Sequence, residues 1–259
     1  MRELDEMEVD GVTIEASLSN KSFVDLIHKY TEYRKQDMSG PVVERRTRKR
    51  ELTRQTISDV ATRLFFERGF DNVTIDEIAQ AADVGRMTVF NHFPRKEDMF
   101  FDREQEMRDI AFAAIRSRDA GSSPIQALGA LAHRLIEQPD PSYPLFGGTY
   151  QFVETALASE SLKARARQMR DDFVRALANV FADAVDRPLD DPDAHLAAGL
   201  ITSVWSVAFT QAHELFGRTR DPNDANRIFL DLIDRGTVGV GAALAGTTYT
   251  STIAFPLSR

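Results

Sequence analysis

The residues best suited to chemistry are Arg86, Met87, Thr88, Asn91 and His92, spaced so that one short helix could turn them outward. Arginine pairs with guanine, and asparagine with adenine, through two hydrogen bonds in the major groove of DNA. Arg86 and Asn91 are therefore the candidates for reading base edges. A phosphate contact is the plainer reading of Arg86, a helix-end cap that of Asn91, and a packed surface histidine that of His92. Upstream, Arg45, Arg46, Arg48, Lys49, Arg50 and Arg54 crowd into one stretch opposed only by Glu44 and Glu51. Cations so placed would track phosphates or enter a minor groove, although a solvated helix start is the bland alternative. The chain as a whole is acidic, with net charge -8 over 259 residues, so it is the segregation of charge that informs.

Other chemistries find little support. There is no cysteine, which excludes disulfides and thiolate catalysis. The five histidines show no H-E-x-x-H spacing, neither G-x-S-x-G nor a P-loop occurs, and no carboxylate pair is marked as catalytic. No enzyme, cofactor or metal is expected. Gly236, Gly239 and Gly241 do not follow the dinucleotide-binding order and read as close helix packing. Residues 194–213 and 236–258 are poor in charge, but a membrane span needs about 20 predominantly apolar residues. The first stretch is broken by Ser, Thr and Gln and the second by Gly, Thr and Pro256, so no span is expected and the chain reads as cytoplasmic. The acidic first ten residues are no signal peptide.

The elements that must position these residues are helices. Ile57, Val60, Ala61, Leu64 and Phe65 give an apolar face, closed by Gly69. Thr74 to Glu77 form a capping box opening a second helix through Ile78, Ala79 and Ala82. Asp83-Val84-Gly85 makes a tight turn into a third, which Pro94 ends. Ile75, Ile78, Ala79, Ala82, Val84, Val89 and Phe93 supply the small core. A fourth helix opens near Lys96-Glu97-Asp98 and continues through Met107, Ile110, Phe112 and Ile115. Further helices are predicted near 124–138, 146–158, 161–186, 192–217 and 224–244, three of them behind Ser123-Pro124, Asp191-Pro192 and Asp221-Pro222. With no sustained alternation, no sheet is expected, and the fold class is all-α. Residues 1–40 read as an N-terminal extension, disordered or upstream of a true start near Met38, with a short amphipathic helix over Phe23, Leu26, Ile27 and Tyr30. Residues 246–259 read as a tail.

The ordered run Gly69-Phe70, Thr74-Ile75, Ile78-Ala79, Val84, Thr88, Phe90, His92-Phe93 and Lys96-Glu97-Asp98 resembles the TetR family of transcriptional regulators. The resemblance spans about residues 46–101; beyond that it rests on helix number and length. It implies a three-helix helix-turn-helix DNA-binding domain over 41–101 and a larger helical ligand-binding and dimerisation domain over 102–245. Thr88, His92 and Lys96 match family positions that bind phosphates, and Thr74, Met87 and Phe90 complete the DNA-facing set. Two positions depart from the pattern. Gly85 stands where Ser or Thr often caps the third helix, and Phe90 where many members have Tyr, which removes a hydroxyl.

The resemblance also implies a sensing pocket between helices of the larger domain. Phe112, His133, Tyr150 and Phe152 are candidate lining residues, as are Glu154, Trp205 and Phe209, each of which could equally be core. Phe146-Gly147-Gly148 could bend a helix at its entrance. Leu200, Ile201, Val204, Trp205, Ala208 and Ala212 would meet Ile228, Phe229, Leu232, Ile233, Val240 and Leu244 in a four-helix homodimer interface. The function so implied is a repressor released from a palindromic double-stranded DNA operator by a small apolar or aromatic effector, with the fourth helix as lever. An effector-independent helical DNA-binding module controlled by a protein partner is the alternative.

Overall fold

Helical spacing of apolar residues, punctuated by strong caps, builds ten α-helices among the residues that the computed structural model describes, namely 6–9, 12–15, 42–119, 121–137 and 149–250. Helix α1 (Val42–Arg68) buries Ile57, Ala61 and Phe65 and ends at Gly69, whose φ of 81° suits glycine. A 3-10 turn over Phe70–Asn72 leads to α2 (Ile75–Ala81). The capping box forms as expected: the Thr74 amide donates to Glu77 Oε2 at 2.8 Å, and the Glu77 amide to Thr74 Oγ1 at 3.3 Å. These bonds, with Arg68 beside them, pull the Glu77 carboxyl down to about 2. Asp83, at φ 52°, turns the chain into α3 (Arg86–His92), and α4 (Lys96–Phe100) follows.

The fourth helix is not continuous as predicted. It stops at Phe100, and α5 (Glu104–Arg116) begins after a turn. The reason is a long-range anchor. Ser58 of α1 donates to Asp102 Oδ2 at 2.5 Å, and Arg54 Nη2 to the Asp102 carbonyl at 3.5 Å, so the chain bends to meet α1. Burial at this corner pushes the Asp102 carboxyl up to about 6.

The larger part comprises α6 (Pro124–Glu137), α7 (Tyr150–Ala158), α8 (Glu160–Ala184), α9 (Pro192–Thr219) and α10 (Pro222–Ala243). Asp191 and Asp221 cap α9 and α10 through the amides of Asp193 and Asn223, and Ser123 takes the amide of Gln126. Helices α9 and α10 lie so close that a Cβ on Gly236 would sit 2.3 Å from Val204 Cγ1. Gly239 and Gly241 face open space, so of the three glycines only Gly236 serves packing within the chain. None of these helices is long and apolar enough to cross a membrane.

Three expectations are corrected here. Ile201, Ala208, Ala212, Phe229, Ile233, Val240 and Leu244, assigned to a dimer interface, are buried inside the chain's own cores. The outer side instead shows Leu196, Val207 and Val238, which are 46%, 54% and 74% exposed. Within the predicted tail, of which residues 246–250 are described, Tyr249 is core. Tyr249 is 1% exposed, packs near Phe181 and donates to Asp191 Oδ2 at 3.1 Å. Its burial pushes the phenol up to about 12. Finally, β1 (Glu6–Val9) and β2 (Val12–Glu15) form an antiparallel pair with Glu6 opposite Glu15 and Val9 opposite Val12. The missed signal is Asp10-Gly11 between two short alternating runs, a strong hairpin sequence. From Val42 onward every element is helical. The predicted helix around Phe23 to Tyr30 and the bend at Phe146-Gly147-Gly148 lie outside the described residues.

Candidate nucleic-acid interface

Helix α3 has one locked edge and one free edge. Val89 and the following Phe93 are buried against Ile78, Ala79 and Ala82 of the α2 segment, with Ile75 and Val84 half-buried around them. Burial of that edge fixes the other: Arg86, Met87 and Asn91 are exposed, and Thr88, Phe90 and His92 are half-buried. Met87 is 69% exposed. Gly85 supplies no side-chain cap, and the helix opens on a 2.8 Å bond from the Thr88 amide to the Gly85 carbonyl.

The basic end of α1 runs beside the C-terminus of α3. Burial first, and then the nearby charges of Arg50 and Arg54, pull the His92 imidazole below its usual value. Lys49 and Arg50 are exposed and Arg48 is half-buried, while Arg45 and Arg46 lie on the first turns of the same helix. Thr74 is occupied by the capping box, its hydroxyl also meeting Glu77 Oε2 at 2.8 Å. Arg86 is paired with Asp76 of α2, and its guanidinium lies 5.6 Å from the Phe90 ring.

Lys96 departs from the expected set. Its ammonium turns inward, donating to the Phe70 carbonyl at 2.5 Å and lying 4.2 Å from the Phe70 ring centre. Desolvation there lowers its pKa. The start of α4 sits over the 3-10 turn, so a carbonyl and two aromatic rings are nearer than any outside anion. Arg54 is a residue that sequence reasoning left in the basic run. It donates to the His92 carbonyl at 3.2 Å and lies 4.2 Å over the Phe93 ring, tying α1 to the end of α3. The signal was available: Arg54 falls on the same stripe as Ile57, Ser58, Ala61 and Phe65.

The head is closed by the larger part. Phe100 stacks on Phe152 at 4.3 Å and 10°, Gln151 donates to the Phe66 carbonyl at 3.3 Å, and Ser159 to Asp71 at 2.9 Å. Arg165 of α8 bridges Asp98 at 3.2 Å and Glu104 at 3.7 Å. Phe152, expected near a ligand, is half-buried and packs against the core of the head.

The other candidate ligand residues divide. Tyr150 stacks on His213 at 5.0 Å, Phe209 lies 6.3 Å from the same ring, and Glu154 Oε1 is 3.4 Å from its Nε2. Trp205 meets Phe229 edge-on at 5.7 Å. Among the described residues, Trp205 Nε1 and His213 Nδ1 are buried without a hydrogen-bond partner. Phe112 lies elsewhere, stacked on Phe173, and His133 pairs with Asp234 at 2.8 Å on the surface. His213 was missed, though its place four residues after Phe209 puts both on one helix face.

Comparison with known proteins agrees with this arrangement. The profile of the bacterial regulatory proteins of the tetR family matches residues 57–102. The HTH-type transcriptional regulator TcmR of Streptomyces glaucescens is 34% identical over 149 residues, which are 56% of this chain and 66% of that protein, just under two thirds of its length. An HTH-type transcriptional repressor of Mycobacterium tuberculosis is 29% identical over 162 residues, 56% of this chain and 83% of the relative. The crystal structure of NalD from Pseudomonas aeruginosa superposes loosely, with TM-score 0.47 and 22% identity over 72% of this chain and 97% of that one. Over residues 57–102, from within α1 to just past α4, the chain carries the head of the bacterial regulatory proteins of the tetR family.

Proposed function

We propose that the chain is a transcriptional regulator that binds double-stranded DNA through α3 as a two-fold dimer on a palindromic operator, and that a small apolar or aromatic effector releases it. The observation that carries this reading is the outward face of α3, braced from behind and flanked by the cations of α1. Arg86 and Asn91 read base edges, and Arg45 to Arg50 with Thr88 contact phosphates. His92 offers a ring N–H to a phosphate. Met87 and Phe90 give apolar contact, and Thr74 contributes through the helix it caps. The head, residues 41–101, and the body beyond it divide the work, in the cytoplasm where operator DNA lies. Leu196, Val207 and Val238 offer the face for the second copy.

The effector would sit against Tyr150, Glu154, Phe209, Trp205 and His213. Buried polar atoms without partners are costly, so a ligand that supplies them is favoured. Helix α7 reaches both ways, holding His213 through Tyr150 and Glu154, and the head through Phe152 and Gln151. It shares the lever's work with α4.

The test is equilibrium binding of the full chain to a labelled random duplex at rising salt. Binding should fall steeply with salt, and Arg50→Gln should weaken it on every sequence while lowering the salt slope by about one. Absence of binding at low salt would sink the assignment. Trp205 is the sole tryptophan, so its fluorescence should change with any aromatic compound that also displaces DNA.

A further inference from the structure

Arg86 is not a free cation at the tip of α3. Its Nη1 lies 2.8 Å from Asp76 Oδ2 and 3.1 Å from Oδ1, so one nitrogen takes both carboxylate oxygens. Both side chains are more than half exposed, and so exposed a pair contributes little to stability. The guanidinium also lies 5.6 Å from the Phe90 ring, one turn further along α3. A carboxylate from α2 and a ring from α3 thus hold one guanidinium at the surface that faces DNA.

The manner of holding matters. An arginine carries five N–H donors in a planar fork. Engagement through Nη1 alone leaves the Nε and Nη2 edge uncommitted. That edge carries two parallel donors, the pattern that matches O6 and N7 of guanine. An unrestrained arginine would lose rotamer freedom on binding and could turn to the nearest phosphate instead. A carboxylate set beside it opposes the second outcome, because it repels phosphates on every sequence alike.

We propose that Asp76 is a specificity-determining positioning residue: it holds Arg86 by one nitrogen so that the remaining edge reads guanine, and its charge penalises non-specific contact. This rests on the reading of α3 as the recognition helix. It adds a residue that lies outside α3, on the first turn of α2.

Selection of bound duplexes from a random pool, followed by competition titration of single-base variants, tests it with the full chain. Wild-type protein should enrich a guanine at one position of each half-site. Asp76→Asn should reduce the preference for that guanine by roughly fivefold or more, the low end of what a bidentate pair supplies, while binding random duplex more tightly. Asp76→Glu keeps the charge and moves the carboxylate, and should lose the preference without that gain. Matching thermal melts would confirm that all three proteins fold. Unchanged discrimination in both variants, or equal loss at several positions, overturns the role of Asp76 alone. Failure of the wild type to enrich any duplex overturns the regulator reading and this inference with it.

Discussion

The head and the body differ in how completely their polar groups are paired. In the head the key polar side chains are paired by protein: Arg54 donates to two backbone carbonyls, Lys96 to the Phe70 carbonyl and Arg86 to Asp76, while Glu77 accepts from the Thr74 amide. In the body, Thr202 Oγ1, Trp205 Nε1, His213 Nδ1 and Thr237 Oγ1 are buried with no partner among the described residues. A reader of DNA must present its side chains in a fixed frame, and paired polar groups provide it. An effector of the kind proposed above would recover part of the cost of burying these atoms if it paired with them.

The aromatic cluster around Phe100 offers the most severe break of that comparison. Phe65, Phe66, Phe70, Phe101 and Phe152 all lie within 6.5 Å of it, ring centre to ring centre. Phe100→Ala should cost about 3–5 kcal/mol in denaturant melts and abolish DNA binding. A loss below 1 kcal/mol would mean that the frame of the head is held elsewhere. In the body, Gly236→Ala forces a methyl into β-branched Val204 and should cost roughly 1–3 kcal/mol. Wild-type stability in that variant would show that α9 and α10 can move apart freely.

Asp102 sharpens the contrast because it stands where the two regions join and its carboxyl is buried. The folded chain holds its proton more tightly than the unfolded chain does. The site's contribution to stability therefore falls as pH rises from the ordinary carboxyl range to about 6, and is flat above it. Asp102→Asn, which still accepts from Ser58, should stabilise the protein by roughly 1–2 kcal/mol at pH 8 and by little at pH 4. Equal melts for the two proteins at pH 8 would contradict this. The smallest effect is expected at the α2 cap, where Thr74→Ala should cost about 1 kcal/mol. Glu77 would then titrate nearer its ordinary range, which carboxyl NMR shifts would report.

Features that depend on neighbours within a turn were legible in the sequence. The capping box of α2, the Asp-Pro starts of α9 and α10, and the locked inner edge of α3 all follow from residues three or four apart. The hairpin at Glu6–Glu15 is signalled by Asp10-Gly11, but alternation over only four residues on each side is too short to specify a strand by itself. Other features were settled by partners far along the chain. Lys96 turns to Phe70, Asp102 breaks a helix to meet Ser58, Phe152 joins the head, and Tyr249 seals the body against Asp191. The apolar stripes of α9 and α10 announced burial, but not whether the burial lay within the chain or between two copies.

Sequence alone determined the helices, their caps and the outward edge of α3, because local hydrogen bonds and apolar spacing decide them. Only tertiary structure decided which cations stay free for a ligand, because a side chain's nearest acceptor can belong to a residue dozens of positions away.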